Sequence, residues 1–364
     1  MRTAQAVEAF LDEQRLSELL GRPARSLRLR IKPGVSLSAA IAGERGPDGW
    51  ARLLWPQARP KGAKAEHRAA RRGLRVARRE LPGGALLQHG GVRSDPALRA
   101  VLERAWPEAE GSVLSYNPLR RLVLRCGGRV LRVQARPVAP AGLHAVLAGG
   151  PRVPERLDDG RDERVSVLRL VGDTDLARCP RPDAVRAAGM QLAALHALGG
   201  RLPERLAAAL AGRAPDALAQ GTAHARLLDA LAPPLAARLR RIAVRVPAPP
   251  AGPQAICHGD AAPGQVLLER RCGVVWLTDF ARACLMRPVE DLGSYLAAAG
   301  PGAAAPLLDG YRAAAGAARI ERRALRAAEA RSRLARLLEP LRLARPDWRG
   351  AVETRLRRLE AVLA

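Results

Sequence analysis

The residues whose types and spacing could do chemistry lie between Ile256 and Asp279. Ile256-Cys257-His258-Gly259-Asp260 passes from an apolar start into a polar turn, and Ala261-Ala262-Pro263-Gly264-Gln265 leads into the apolar run Val266-Leu267-Leu268. Arg271-Cys272-Gly273 reads as a turn and Val274-Val275-Trp276-Leu277-Thr278-Asp279 as a returning strand. This hairpin sets Gln265 where the first strand begins and Asp279 where the second ends, at the same end of the pair. Asp260 lies just upstream, so three oxygen-bearing side chains converge. Phosphoryl transfer needs such a set: one carboxylate to orient and deprotonate a hydroxyl, and an amide plus a second carboxylate to hold Mg²⁺ on nucleotide phosphates.

The elements that must position these residues follow from patterning. An amphipathic opening helix precedes a strand pattern over Ser26 to Ile41, turning at Lys32-Pro33-Gly34, and a further strand over Trp50 to Trp55. A similar hairpin layout over Ser112 to Ala135, turning at Cys126-Gly127-Gly128, suggests a duplicated half-sheet. Helices are predicted over 63–79, 95–106 and 141–147, the second from Asp95-Pro96 as cap and first turn. Val165 to Leu170 is one more strand, and beyond Gly172 the texture changes to Ala/Leu/Arg helices until residue 255, which places a boundary near 172. One of these helices, opened by Pro182-Asp183, carries Val185, Ala188, Leu192 and Leu195 on one face and ends in His196, a structural histidine on this pattern.

Composition narrows the function. At 364 residues and 48% hydrophobic content the chain can fill substantial cores. Its net charge of +26 is almost all Arg, with Lys only at 32, 61 and 64; an Arg-rich, Lys-poor, Ala-rich chain is the mark of a GC-biased genome before it is a polyanion surface. The charge disfavours a cationic small-molecule substrate. Five widely spaced cysteines without a C-x-x-C pair read as reduced, buried thiols. Acidic residues within the opening helix exclude a signal peptide, and no stretch is long and apolar enough for a membrane span, so a cytoplasmic protein is expected. P-loop, Rossmann, zincin and nucleophile-elbow motifs are absent. No helix-turn-helix, zinc spacing or aromatic platform points to specific nucleic-acid binding, which leaves only non-specific phosphate attraction as a nucleic-acid alternative.

His-Gly-Asp at 258–260, an amide five residues on, a hairpin, Asp279-Phe280 and then Pro288-Val289-Glu290-Asp291-Leu292 opening a helix together resemble the aminoglycoside phosphotransferase and choline kinase group, which shares the protein-kinase-like fold. The resemblance covers residues 111–317. It implies an α+β, two-lobed architecture: a small antiparallel-sheet lobe over 111–172, a larger helical lobe over 173–364, and 1–110 as an extra N-terminal unit. It also implies ATP and Mg²⁺ as cofactors and a small-molecule hydroxyl as acceptor. Asp260 would be the catalytic base and Gln265 and Asp279 the metal ligands, while His258 and Asp291 would support the loop from behind. The nucleotide would meet Arg132 under the Ser112–Ala135 hairpin and Leu168 and Leu170 at the strand running into the hinge.

Two positions depart from the family. Its phosphate-binding Lys is replaced by Arg132, whose planar fork has a different reach, and the following helix offers His144 but no acid to pair with it. Gln265 stands for the usual Asn, one methylene longer with the carbonyl ligand kept. The expected function is ATP-dependent phosphorylation of a neutral or anionic hydroxyl compound, with a pseudokinase that binds nucleotide or a partner without turnover as the alternative. The sequence leaves the oligomeric state open.

Overall fold

The computed structural model of the protein describes residues 1–43, 46–106, 111–316 and 320–364. The opening helix is two: α1 (Thr3–Leu11) and α2 (Glu13–Leu20), with Asp12 accepting from the Arg15 amide and so starting the second. Strands β1 (Arg25–Lys32), β2 (Ser36–Gly43) and β3 (Gly46–Leu54) form the predicted meander; α3 (Arg59–Ala70), β4 (Ala77–Leu81), β5 (Ala85–Gly91) and α4 (Arg99–Ala105) follow. The strands make one antiparallel sheet in the order β1-β2-β3-β5-β4. The helix predicted over 63–79 therefore ends by residue 70, and Ala77, Arg78, Arg79 and Glu80 belong to an edge strand. Their exposure explains the misreading, since an edge strand shielded by charges carries no alternating apolar face.

A second sheet, in the simple order β6-β7-β8-β9, comprises β6 (Ser112–Asn117), β7 (Arg121–Cys126), β8 (Arg129–Gln134) and β9 (Val165–Arg169), with α5 (Leu143–Leu147) between the last two. The two sheets differ in strand number and order, so the suggested duplication is not present; only the antiparallel hairpin recurs. Beyond the second sheet come β10 (Thr174–Asp175), α6 (Pro182–His196), α7 (Glu204–Leu210), α8 (Ala217–Leu231) and α9 (Pro233–Ala243). Then follow β11 (Ala255–Cys257), β12 (Val266–Glu269), β13 (Val274–Leu277), β14 (Cys284–Met286), α10 (Pro288–Ala298), α11 (Ala304–Ala315), α12 (Arg322–Ala335), α13 (Glu339–Arg342) and α14 (Trp348–Leu363). No helix among the described residues is long and apolar enough to cross a membrane.

Three large cores, beside a small cluster of Leu54, Ala58 and Leu86, hold these parts together. Leu29, Leu37, Ile41, Leu53 and Leu87 on one face of the first sheet pack with α1 and with Leu228, Leu239, Leu334 and Leu356 of α8, α9, α12 and α14. On the opposite face Ala40 and Trp50 join Leu98 and Leu102 against Leu122, Leu124, Leu131 and Val133 of the second sheet. Residues 1–106 thus share apolar cores both with the small sheet and with the C-terminal helices. The third core centres on α6, α10, α11 and the β12–β13 hairpin.

Within that third core α6 and α11 touch backbone to backbone. A Cβ on Gly310 would lie 1.8 Å from the Arg186 carbonyl oxygen, and one on Gly189 2.1 Å from that of Leu307. Backbone cannot yield as a flexible side chain does. Gly310→Ala is therefore expected to lower stability by about 1–3 kcal/mol or more, read as a lower urea midpoint at unchanged m value.

Cys179, Cys257, Cys272 and Cys284 are free thiols; Cys257 and Cys284 are buried and stand opposite each other in the β11–β14 register, but Cys179 is only half-buried and Cys272 is exposed at the tip of the β12–β13 turn, contrary to the expected burial.

Candidate active site

The loop after β11 is held from behind by α10. Asp291, in the first turn of that helix and fully buried, accepts from the His258 amide at 2.6 Å and the Gly259 amide at 3.0 Å. Its Oδ2 also lies 3.1 Å from His196 Nε2, and the other ring nitrogen of His196 meets the Tyr311 hydroxyl at 2.9 Å. Burial alone would raise the Asp291 pKa, but the His196 hydrogen bond and the two nearby histidines outweigh it and hold the carboxyl below the usual range. Ser294 Oγ, one turn on, donates to the Ala261 carbonyl at 2.9 Å. Gly259 has φ +75°, and a Cβ there would lie 2.0 Å from the Arg282 carbonyl oxygen, so this turn requires glycine. His196, Cys257 and Asp291 present ligand atoms within 4.8 Å of one another, yet both Asp291 oxygens are occupied by N–H donors and burial keeps the Cys257 thiol protonated. This trio is a brace, not a metal centre.

The hairpin brings Gln265 and Asp279 to one end. Val266 pairs with Leu277, and the Gln265 carbonyl accepts from the Thr278 amide at 2.9 Å. His258 Nε2 faces the Thr278 carbonyl at 2.7 Å and its ring lies 4.9 Å from that of Phe280, which ties the 258–260 loop to Asp279. Asp279 adopts a left-handed conformation, φ 64°, ψ 55°, a local strain that aims its carboxylate across the cleft. There Arg121 Nη1 donates to Oδ2 and Arg132 Nη2 to Oδ1, each at 2.6 Å. Burial pushes the Asp279 pKa upward, but the two guanidiniums together hold it far below the ordinary carboxylate value. Asp260 is likewise engaged: Arg336 Nη2 donates to Oδ1 at 2.5 Å and Arg282 Nη1 approaches Oδ2 to 3.6 Å. Arg336 follows α12 and also meets Glu339 Oε1 at 3.0 Å.

Arg132 thus faces the cleft, as strand alternation requires, with Leu131 and Val133 turned into the core. Its register partners Val123 and Ser166, and Leu168 opposite Val130, share that cleft-side face of the sheet; Leu170 lies past β9, its amide bonded to the Gly128 carbonyl at 2.9 Å. Arg132 finds its counter-charge in Asp279 rather than on α5. Sequence reasoning missed Arg121, which the same alternation along β7 could have found, since Leu122 and Leu124 are fully buried on one face and Arg121 lies on the other, the face of Arg132 and diagonal to it. It also missed Arg336, which no local pattern connects with Asp260.

Asp95, expected only as a helix cap, is fully buried and does more. Besides capping through Ala97 and Leu98, its carboxylate accepts from the Tyr116 hydroxyl at 2.7 Å and the Leu119 amide at 2.8 Å, fixing the β6–β7 turn. Burial raises its pKa against the pull of these four hydrogen bonds. Tyr116→Phe is expected to cost about 1.5–3 kcal/mol, the range of a hydrogen bond to a charged group, measured by urea unfolding at pH 7.

Residues 112–328 match the sequence profile of the phosphotransferase enzyme family. A choline/ethanolamine kinase family protein from Mesorhizobium loti superposes with a TM-score of 0.53 at 22% identity, over 73% of this chain and 93% of its own. The GDP and kanamycin complex of APH(2″)-IIIa gives 0.50 at 17% identity over 72% and 98% of the two chains. The GDP complex of a mutant aminoglycoside 2′-phosphotransferase-IIIa gives 0.50 at 19% over 72% and 96%. At these identities the likeness is one of fold, the small sheet lobe over a helical lobe of the protein-kinase type. No curated protein matches the chain in sequence. Because the family match runs through well over half of the chain, from β6 into α12, and takes in both walls of the cleft where Arg121 and Arg132 meet Asp279, the chain belongs to the phosphotransferase enzyme family.

Proposed function

We propose that the protein transfers the γ-phosphoryl group of ATP to a hydroxyl of a neutral or anionic small molecule. One observation carries the reading: a carboxylate from the large lobe, Asp279, faces two guanidiniums from the small lobe, at the place where this fold brings phosphates and metal together. In this reading 111–172 is the nucleotide-covering lobe, 173–364 carries the catalytic loop, and 1–110 is an addition whose β1 edge reaches the cleft, since Arg28 lies within electrostatic reach of Arg121, Asp279 and Glu339.

Gln265 and Asp279 would hold Mg²⁺. Both are hard oxygen donors, and the Gln265 side-chain amide makes no protein hydrogen bond among the described residues. When bound, the metal supplies positive charge that orients and neutralises the phosphates. Arg121 and Arg132 exchange the Asp279 carboxylate for phosphate oxygens, which suits their fork geometry. Arg336 fixes Asp260 through Oδ1, leaving Oδ2 to accept the proton of the acceptor hydroxyl. Arg28, Arg282 and Arg336 beside these acids repel a polycation and tolerate an anion. The free thiols of Cys179, Cys257, Cys272 and Cys284 fit a reducing compartment such as the cytoplasm.

The second reading, a pseudokinase, is favoured by the same ion pairs: both Asp279 oxygens and one of Asp260 are occupied by arginine. Phosphorus NMR of ATP with a panel of neutral and anionic alcohols separates the two. A new phosphomonoester resonance at the expense of ATP supports transfer. Nucleotide binding with no such resonance across the panel supports the pseudokinase.

A further inference from the structure

The face of the first sheet that packs through Ala40 and Trp50 turns polar toward the other end of the strands. Arg30 pairs with Ser38 and Ser38 with Arg52, while Lys32 pairs with Ser36, so these side chains stand in two adjacent rows across β1, β2 and β3. Together with Lys61 of α3 they line a hollow of about 140 Å³, and no acidic residue is among its lining. Two of the chain's three lysines are here. Arg52 is only 8% exposed; its Nη2 donates to Gln88 Oε1 at 2.9 Å, but its buried Nε has no protein partner. The carboxylates that Arg52 feels, Asp95 and Glu66, are engaged elsewhere, with Tyr116 and Leu119 and with Gln88 respectively. Arg30, Lys32 and Lys61 form no ion pair among the described residues.

A buried donor without a partner is costly, and four cations around one small hollow repel one another unless an anion joins them. The larger hollow between α3 and α4, about 620 Å³, also gathers four arginines, but there Arg72 is paired with Glu103 at 2.7 Å and the buried Arg99 donates to the Ala65 carbonyl at 3.2 Å, so among the described residues no buried donor lining it is left without a partner. We infer that the hollow on the first sheet is an anion-binding site for a phosphate group or an oxyanion of that size, with Arg52 at its floor, Ser36 and Ser38 on its wall, and Arg30, Lys32 and Lys61 around it.

Its place adds meaning. Leu119, on the β6–β7 turn held by Asp95, also lines the hollow. Arg28, Arg30 and Lys32 recur at two-residue spacing along β1, a basic track about 13 Å long at strand rise that starts within reach of Asp279. The phosphate could therefore be the anionic end of an acceptor whose hydroxyl lies in the cleft, or a separate ion that stiffens the turn.

Isothermal titration of the full chain with inorganic phosphate, at ionic strength held constant with chloride, tests the site without reference to activity. Saturable binding is expected in the parent. It should persist in Arg132→Ala, which weakens the phosphate clamp of the cleft, and fall at least tenfold in Arg30→Gln and in Lys61→Gln, whose circular dichroism should match the parent. Absence of saturable binding in the parent would overturn the inference, and so would binding lost in Arg132→Ala but intact in the other two. Given the site, steady-state kinetics identify the source. Phosphate that raises the acceptor KM at constant kcat stands in for the acceptor's own anionic end; phosphate that changes kcat at saturating acceptor is a separate effector. A protein that proves to be without turnover leaves the titration result intact.

Discussion

Asp260→Asn is expected to lower turnover by about 10²–10⁴-fold, the usual contribution of a positioned general base, while fold and nucleotide affinity stay near those of the parent. The substitution keeps an oxygen for the Arg336 hydrogen bond, Arg336 retains Glu339 at 3.0 Å as its counter-charge, and Arg282, which loses its carboxylate neighbour, is exposed and stays solvated, so no buried guanidinium is stranded. The loop itself is held by Asp291 and Ser294, which the change does not touch. Single-turnover kinetics alongside thermal unfolding read both halves of this expectation. Full activity in the variant would remove Asp260 from the role of base.

The second large effect is expected at Asp279. Asp279→Ala leaves Arg121 and Arg132 close together without their carboxylate, and breaking a largely buried ion pair from one side costs about 3–5 kcal/mol. Nucleotide binding should change in kind: its dependence on Mg²⁺ should disappear with the one carboxylate proposed to hold the metal, while metal-free ATP, now meeting two unpaired guanidiniums, should stabilise the variant more than it does the parent. Thermal-shift titrations with and without Mg²⁺ measure both. The pH dependence has a defined sign. The Asp279 pKa is depressed in the folded protein, so its contribution is fully present above the unfolded carboxyl value, about 3.9, and is lost only as pH falls through the lower folded value. Between pH 4.5 and 7 the clamp should therefore hold.

What the sequence made legible was the chemistry written locally. His258, Asp260, Gln265 and Asp279 occupy one loop and one hairpin, and turn chemistry plus the two-residue period of strands suffice to bring them to one end. The cleft-facing side of Arg132 follows from the same period, with Leu131 and Val133 on the buried side. Arg336 was invisible because its contact with Asp260 is made by the tertiary packing of α12 against α10 and the loop, which no spacing encodes. The first sheet was half legible. Its meander β1–β3 shows alternation, but β4 is an exposed edge whose Arg78, Arg79 and Glu80 mimic a charged helix face. The sharing of its apolar face with α8, α9 and α14 could not be foreseen, since an amphipathic pattern tells that a face is covered and not by what. The polar end of its other face was hidden for a related reason: Arg30, Ser38 and Arg52 become neighbours only through strand register.

The central claim is that Arg121 and Arg132 hold Asp279 in the absence of nucleotide and release it to phosphates and metal when nucleotide binds. Calorimetric titration of ATP with and without Mg²⁺, on the parent and on Arg132→Ala, tests it most directly. The account predicts saturable, Mg²⁺-dependent binding in the parent, weakened by about 1.5–3 kcal/mol in Arg132→Ala, as for loss of a charge-assisted hydrogen bond. No binding by the parent at millimolar ATP with Mg²⁺, or equal binding by parent and variant, would contradict it.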